Sequence, residues 1–163
     1  MNELHEALAP VSRLVATLDL SKTEEAEATL TQTFPPSGKE VERLRSLALE
    51  SLKDGKICFR GEPGMTFSRV LKPEADAGGC SVDAVHMTDT QGPVHTHLKG
   101  EVCLCIPTKE APTFEGRSAT WMVLPPGSRH RPTVAGGTML ILYWWPGGAV
   151  AWGMADPPGA PLA

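Results

Sequence analysis

The sequence predicts an all-β body, a sandwich or barrel, carrying an N-terminal α-helical extension. Composition shifts near residue 56, where Glu-, Leu- and Ala-rich sequence gives way to short β-branched and aromatic runs broken by Gly and Pro. Those runs recur at regular spacing with turn clusters between them, the pattern of a sandwich or barrel. The length of 163 residues fits one domain. Such a chain buries roughly 70% of its unfolded surface and needs no disulfide support. The expected division is a helical extension over 1–55, a barrel over 56–154 and a flexible Pro- and Gly-rich tail over 155–163.

The helical extension opens with an amphipathic segment from Glu3 to Leu18, in which Pro10 either kinks a helix or begins a second one. Ser21-Lys22-Thr23-Glu24 has capping-box spacing, where a Ser oxygen takes an orphan helix N–H and the Glu reaches back. Ser37-Gly38-Lys39-Glu40 repeats it. The helix that follows carries Val41, Leu44, Leu47, Ala48 and Leu52 on one stripe and stops near Gly55, a good left-handed terminator. Strands are then expected at 56–60, 65–71, 79–88, 93–98, 101–106, 119–124, 137–145 and 149–154. The clusters GEPG, PEADAGG, TQGP, LPPGS, AGG and PGG supply the turns.

A net charge of −4 gives no general pull toward phosphate backbones or anionic lipid, so nucleic acid is an unexpected partner. ATWMVLPP and TMLILYWWPGGAV are both cut short by Pro or Gly, far below a membrane-spanning length. Cys58, Cys80, Cys103 and Cys105 form no CxxC pair, and the N-terminus has neither a basic region nor a long apolar run. A cytoplasmic protein with reduced thiols is expected. The chain has no GxGxxG and no P-loop.

The chemistry concentrates in His95-Thr96-His97. On a strand, imidazoles at i and i+2 leave the same face about 6 to 7 Å apart at the backbone, so one metal ion accepts both. Glu101 follows after Lys99-Gly100, a turn that returns its carboxylate toward the same point, and Pro125-Pro126-Gly127-Ser128-Arg129-His130 brings a third histidine after a tight turn. HTHLKGE resembles the first cupin motif, HxHx(3)E, and PPGSRH resembles the core of the second, PxGxxH. The resemblance implies a double-stranded β-helix, or jelly-roll barrel, over about residues 57–154. It also implies one divalent transition metal held by His95, His97, Glu101 and His130. The usual glycine ahead of the first His, the glycine after the Glu and the Asn after the last His are missing from their places. Three imidazoles and a carboxylate suit Fe, Mn, Ni, Zn or Cu, and the sequence does not choose among them.

GGCSVDAVHMTDTQGPVHTHLKGEVCLCIP together with FEGRSATWMVLPPGSRHRPTVAGGTMLILYWWPGGAVAW is similar to the 4-hydroxylaminobenzoate lyase family. The CLC segment after Glu101 departs from that family's more acidic or aliphatic run. The resemblance implies conversion of 4-hydroxylaminobenzoate to 3,4-dihydroxybenzoate (protocatechuate) with release of ammonia, in nitroaromatic degradation. Elimination of an N-bound hydroxyl needs an electrophile on oxygen, which a Lewis-acidic metal with an open position provides. Because net oxidation state is unchanged, neither nicotinamide nor dioxygen is required. The alternatives are a metal-dependent cupin oxygenase on a small aromatic substrate and a non-catalytic small-molecule-binding cupin. Cupins are often dimers, which leaves a homodimer open.

Around this centre, Arg69 shares parity with Met65, Phe67 and Leu71, and its functional role would be a bidentate clamp on the substrate carboxylate; the alternative is a salt bridge or an exposed edge position. His86 shares parity with Cys80, Val82 and Ala84, which aims it into the barrel as an acid/base, or leaves it as a structural histidine. Cys103 and Cys105 share parity with Glu101 and line the same lumen as small buried hydrophobes, or as thiols that tune the metal's surroundings. Trp121 and Tyr143 are the aromatic candidates for substrate contact. Trp144 and Trp145 fall on opposite faces, one to wall the pocket and the other for a dimer contact, with core packing as the alternative for each. Arg129 and Arg131 flank His130 and point away from it.

Overall fold

The computed structural model describes residues 1–153, so the expected tail over 155–163 and the last residue of the expected strand 149–154 lie outside the described residues. Three helices come first: α1 (Asn2–Val15), α2 (Thr23–Thr33) and α3 (Lys39–Lys53). α1 buries Leu4, Leu8, Val11, Ser12 and Val15 at helical spacing, and it runs through Pro10, which sits on the exposed side. No second helix begins at Pro10. The capping boxes do not form. Ser21 turns its hydroxyl to Asp19 Oδ1 at 2.5 Å, and the residues at the helix starts, Lys22 and Gly38, make no side-chain cap. The end of α3 follows the sequence: Gly55 takes φ +68°, its N–H bonds Leu52 O at 3.1 Å and Lys56 N–H bonds Ser51 O at 2.8 Å. That double bond is a Schellman stop, which closes two otherwise orphaned carbonyls.

The all-β body follows as two antiparallel sheets. Strands β1 (Arg60–Glu62), β2 (Met65–Leu71), β3 (Cys80–Gln91), β5 (Glu101–Phe114), β6 (Trp121–Leu124) and β8 (Thr133–Pro146) form a six-stranded sheet in the order β1-β2-β3-β8-β5-β6. Strands β4 (His95–His97), β7 (Ser128–His130) and β9 (Val150–Trp152) form the second, in the order β7-β4-β9. Of the run 56–60, only Arg60 joins a strand. Ile57 and Cys58 are buried outside it, and Cys58 N–H is satisfied by Ser68 Oγ at 2.8 Å. β7 is not among the expected strands; it forms by pairing with β4 directly after the Pro-Gly turn. No described helix is long and apolar enough to cross a membrane.

The central part of the large sheet is buried on both faces, and this organises the protein. Val82, Ala84, Val102, Leu104, Leu140, Leu142, Trp121 and Trp144 face the helices and pack with Leu4, Leu8, Leu30, Leu44 and Ala48. Val85, Met87, Cys103, Cys105, Met122, Met139 and Ile141 face the barrel interior. Trp144 therefore belongs to the helix-facing core. It is fully buried and donates its indole N–H to Ser12 Oγ at 2.9 Å, so it is no dimer contact. A register shift between Arg69 and Leu71 places Leu71 opposite Val82, on the helix-facing side, and breaks the expected Met65-Phe67-Arg69-Leu71 series.

Candidate metal centre

Strand pairing brings the histidines together. In the small sheet His95 stands directly opposite His130, and His97 opposite Ser128, so all four side chains share the interior face. Glu101 opens β5, in the other sheet, and Gly100 makes the corner at φ +91°. A Cβ there would lie 2.9 Å from the Leu20 side chain and 3.1 Å from Leu124 O, so glycine is needed for space as well as for its dihedral angle. The Gly100 N–H closes the turn onto His97 O at 3.3 Å, and Gly127 N–H reaches the same carbonyl at 2.7 Å.

Three Nε2 atoms face a common point. His95 and His97 Nε2 lie 2.9 Å apart, and His130 Nε2 lies 3.3 Å from His95 Nε2. The three histidines' candidate ligand atoms fall within 4.8 Å of one another. Glu101 Oε2 adds a carboxylate 3.0 Å from His97 Nε2 and 3.8 Å from His95 Nε2.

The other ring nitrogens fix the tautomers. His95 Nδ1 meets Pro93 O at 3.1 Å, an acceptor only, so the proton sits on Nδ1. His97 Nδ1 meets Ser128 Oγ at 2.8 Å; that hydroxyl gives its own proton to Pro125 O at 2.5 Å and must accept from the ring. His130 Nδ1 has the Glu115 carboxylate 3.2 Å away, within ion-pair distance although off the hydrogen-bonding line, which leaves this nitrogen without a formal hydrogen bond. In the neutral rings all three Nε2 lone pairs thus point at one place with an anion beside them. Lone pairs at 2.9 to 3.3 Å repel unless positive charge lies among them. A proton supplies that charge crudely; a divalent metal fits it, and the outward Nδ1 bonds are the usual orientation of metal-binding imidazoles.

Each oxygen of Glu101 accepts from a buried donor. The Cys103 thiol donates to Oε1 at 2.9 Å, and the Trp145 indole N–H donates to Oε2. Burial would push the Glu101 carboxyl up, but the imidazoles of His95 and His97 hold it well below the usual carboxylate range, so it is ionised. Burial and the neighbouring Glu101 push the Cys103 thiol well up, which keeps it a donor.

The centre opens on a cavity of about 760 Å³ through His95 and Glu101, whereas His97 and His130 close its back. Phe67, Phe114, Tyr143, Trp145 and Trp152 supply aromatic walls, with Val85 and Ile141 between them. Trp145 and Trp152 pack against His95 with centroids at 5.6 and 5.3 Å. Tyr143 lines the cavity, its ring 4.8 Å from that of Trp145, and its phenol is pushed well up by burial and by Asp83, so it stays an O–H donor.

Trp121 does not reach the cavity. It lies on the helix-facing side, 6.3 Å from Phe34 and 6.1 Å from Trp144, with its indole N–H on Phe34 O. His86 is also on that side of β3, bonded to Thr108 Oγ1 at 3.2 Å and absent from the cavity wall; its shared parity with Cys80, Val82 and Ala84 holds, but those residues face the helices. Arg69 does line the cavity, as its parity with Phe67 requires, yet its Nε and Nη2 are engaged by Asp83 at 3.0 and 3.4 Å. Cys105 lies in the interior cluster beside Cys103, and burial pushes its thiol up to about 12. Sequence reasoning passed over Asp83, Ser128, Pro93 and Glu115. Asp83 alone carried a signal, as the single acid inside the apolar run CSVDAV.

Comparison with known proteins gives consistent matches. A family model described as 4-hydroxylaminobenzoate lyase (PnbB) matches residues 9–152. A 4-hydroxylaminobenzoate lyase from Nocardioides sp. (strain LMS-CY) is 26% identical over 143 residues, covering 82% of this chain and 85% of the relative. A protein of the same name from Pseudomonas putida is 24% identical over 151 residues, covering 82% and 86%. Among solved structures, oxalate oxidase in complex with glycolate has a TM-score of 0.42 at 15% identity, over 56% of this chain and 57% of that one. A cupin-like protein from Thermotoga maritima has a TM-score of 0.36 at 13% identity, over 59% and 84%.

Proposed function

The chain belongs to the 4-hydroxylaminobenzoate lyase family, and on that premise we propose that it converts 4-hydroxylaminobenzoate, or a related aromatic hydroxylamine, to 3,4-dihydroxybenzoate and ammonia in a metal-dependent reaction. One water enters and one ammonia leaves, so the conversion balances without an external oxidant or reductant. The observation that carries the proposal is the convergence of three imidazole lone pairs beside an ionised carboxylate, at the end of an aromatic-walled cavity. His95, His97, Glu101 and His130 would hold the ion, with His95 and Glu101 on the side that faces substrate. When bound, the metal supplies a Lewis acid that polarises the hydroxylamine oxygen.

The remaining work falls to side chains already placed. Phe67, Phe114, Trp145 and Trp152 sandwich an aromatic ring and exclude bulk water from it. Tyr143 presents a protonated phenol inside the cavity and donates a hydrogen bond to substrate oxygen. Asp83, whose carboxyl burial pushes up against the opposing pull of Arg69, stands in the next strand position across from Tyr143 and supports a proton relay on that side. A cytoplasmic setting belongs to the same proposal: reducing conditions there would preserve Cys103 as the thiol that donates to Glu101.

The test is anaerobic turnover of 4-hydroxylaminobenzoate by metal-loaded protein, with elemental analysis, ammonia assay and product identification. Formation of 3,4-dihydroxybenzoate and ammonia in equal amounts without oxygen is the expected result. A strict oxygen requirement would assign an oxygenase instead, and recovery of tightly bound but unchanged ligand would assign a binding module.

A further inference from the structure

We propose that Arg60 is the residue that receives the carboxylate of the aromatic substrate, with the Arg69–Asp83 pair as its neutral flank. The proposal rests on the lyase assignment above for the identity of the substrate, though not for the existence of an anion subsite.

The reasoning begins with charge. Two arginines, Arg60 and Arg69, line the cavity together with three carboxylates, Glu62, Asp83 and Glu101. Glu101 is committed to the metal centre. Asp83 is committed to Arg69, through two nitrogens, and it would repel an incoming carboxylate placed at that guanidinium. Arg60 is in no ion pair with a carboxylate among the described residues; its guanidinium lies 5.9 Å over the Phe59 ring. It is the cavity cation whose charge is not already answered.

Position agrees with charge. Arg60 stands opposite Phe67 in the β1–β2 pairing, and Arg69 is two residues further along β2 on the same face. The register shift in β2 falls after Arg69, so it does not turn that side chain away. Diagonal neighbours of this kind lie about 7 to 8 Å apart at the backbone, which puts both guanidinium groups on one side of the cavity with Phe67 between them. A benzoate ring against Phe67 would present its carboxylate to that edge. A guanidinium already held over an aromatic ring is well placed for a planar, two-point contact with a carboxylate. β1 is the outermost strand of the large sheet and is exposed along its length, so Arg60 has room to swing onto a ligand.

The experiment compares Arg60→Met and Arg69→Met with wild type in the metal-loaded protein, using two ligands that differ by the carboxylate, 3,4-dihydroxybenzoate and catechol, in equilibrium titrations. Charge-assisted hydrogen bonds are worth enough to change affinity about 10- to 150-fold. Arg60→Met is expected to weaken 3,4-dihydroxybenzoate by at least about tenfold and catechol by less than about twofold, and Arg60→Lys to recover part of the loss. The KM for 4-hydroxylaminobenzoate should rise in parallel, while that for phenylhydroxylamine stays near wild type. Unchanged preference for the carboxylated ligand in Arg60→Met overturns the proposal, as does a wild type with no such preference, or a loss that appears in full in Arg69→Met alone. Wild-type turnover of 4-hydroxylaminobenzoate is scored separately. Its absence removes the lyase assignment, whereas an Arg60-dependent preference for benzoates would still establish the anion subsite.

Discussion

Replacing Ser128 by Ala removes a single oxygen whose only tasks are to accept the His97 Nδ1 proton at 2.8 Å and to donate to Pro125 O at 2.5 Å. Pro125 O keeps a partner, because Ser128 N–H also reaches it at 3.1 Å. The loss therefore falls on His97, which is fully buried. Its Nδ1–H becomes an unsatisfied buried donor, a cost of about 1 to 3 kcal/mol. The ring can escape by moving the proton to Nε2, but that spends the lone pair the metal needs. Either way metal binding bears the penalty, and loss of such an outer partner typically lowers affinity by about 10- to 100-fold, or roughly 1.4 to 2.7 kcal/mol. The assay is competition against a chromophoric chelator with Zn(II) and, separately, Mn(II), alongside far-UV circular dichroism. Ser128→Thr keeps the hydroxyl and should keep most of the affinity. If Ser128→Ala binds both ions within about twofold of wild type with its fold intact, the tautomer assignment and the metal centre built on it are wrong.

His97→Ala should abolish turnover with the circular dichroism spectrum retained, since apolar burial and strand pairing hold the barrel; full activity after exhaustive, verified chelation would remove the metal mechanism. His86→Ala should change kcat and KM by less than about twofold, because the ring bonds Thr108 on the helix-facing side; a large fall in kcat in steady-state kinetics would return it to the reaction. Glu27 links α2 to the barrel, accepting from Arg117 and from Val123 N–H. Burial raises its pKa, but the hydrogen bonds from Arg117 and Val123 outweigh this and the net shift is downward. A depressed folded pKa contributes stability that is present above the unfolded carboxyl value of 4.5 and is lost as pH falls through the lower folded value. Glu27→Gln should therefore lower stability near neutral pH by about 1 kcal/mol or less, given that Arg117 is half exposed, and the gap to wild type should close in acid; denaturant melts at pH 7 and below pH 4 check the sign.

The convergence of His95, His97, Glu101 and His130 was legible because it is written as spacing: i and i+2 on a strand, a three-residue corner, and a Pro-Gly turn before the last histidine. The faces of the large sheet were not. Cys80, Val82 and Ala84 read as interior because they are apolar, yet the interior of β3 is the set that includes Asp83, Val85 and Met87. Where helices cover the outer face, alternation no longer separates inside from outside, and His86 and Trp121 were assigned to the cavity for that reason. The same ambiguity hid Asp83. Ser21 shows a different limit: a capping-box spacing is a local opportunity, and Asp19 was the nearer partner. Glu115 reaches His130 through tertiary closure, to which no local pattern points, and Pro93 meets His95 through a backbone carbonyl, which its side-chain identity does not announce.

A sheet with a helix layer on one side and a reaction chamber on the other divides its own positions into two mutational currencies. Along β3 and β8, changes at Val82, Ala84, Leu140 or Leu142 register in the melting temperature, while changes at Asp83, Val85, Ile141 or Tyr143 register in which molecules fit the chamber. Neighbours in sequence thus answer to different selections. A library confined to the chamber-facing members could reshape substrate preference without disturbing the helix-packed face, and a stabilising screen confined to the other set should leave substrate preference alone.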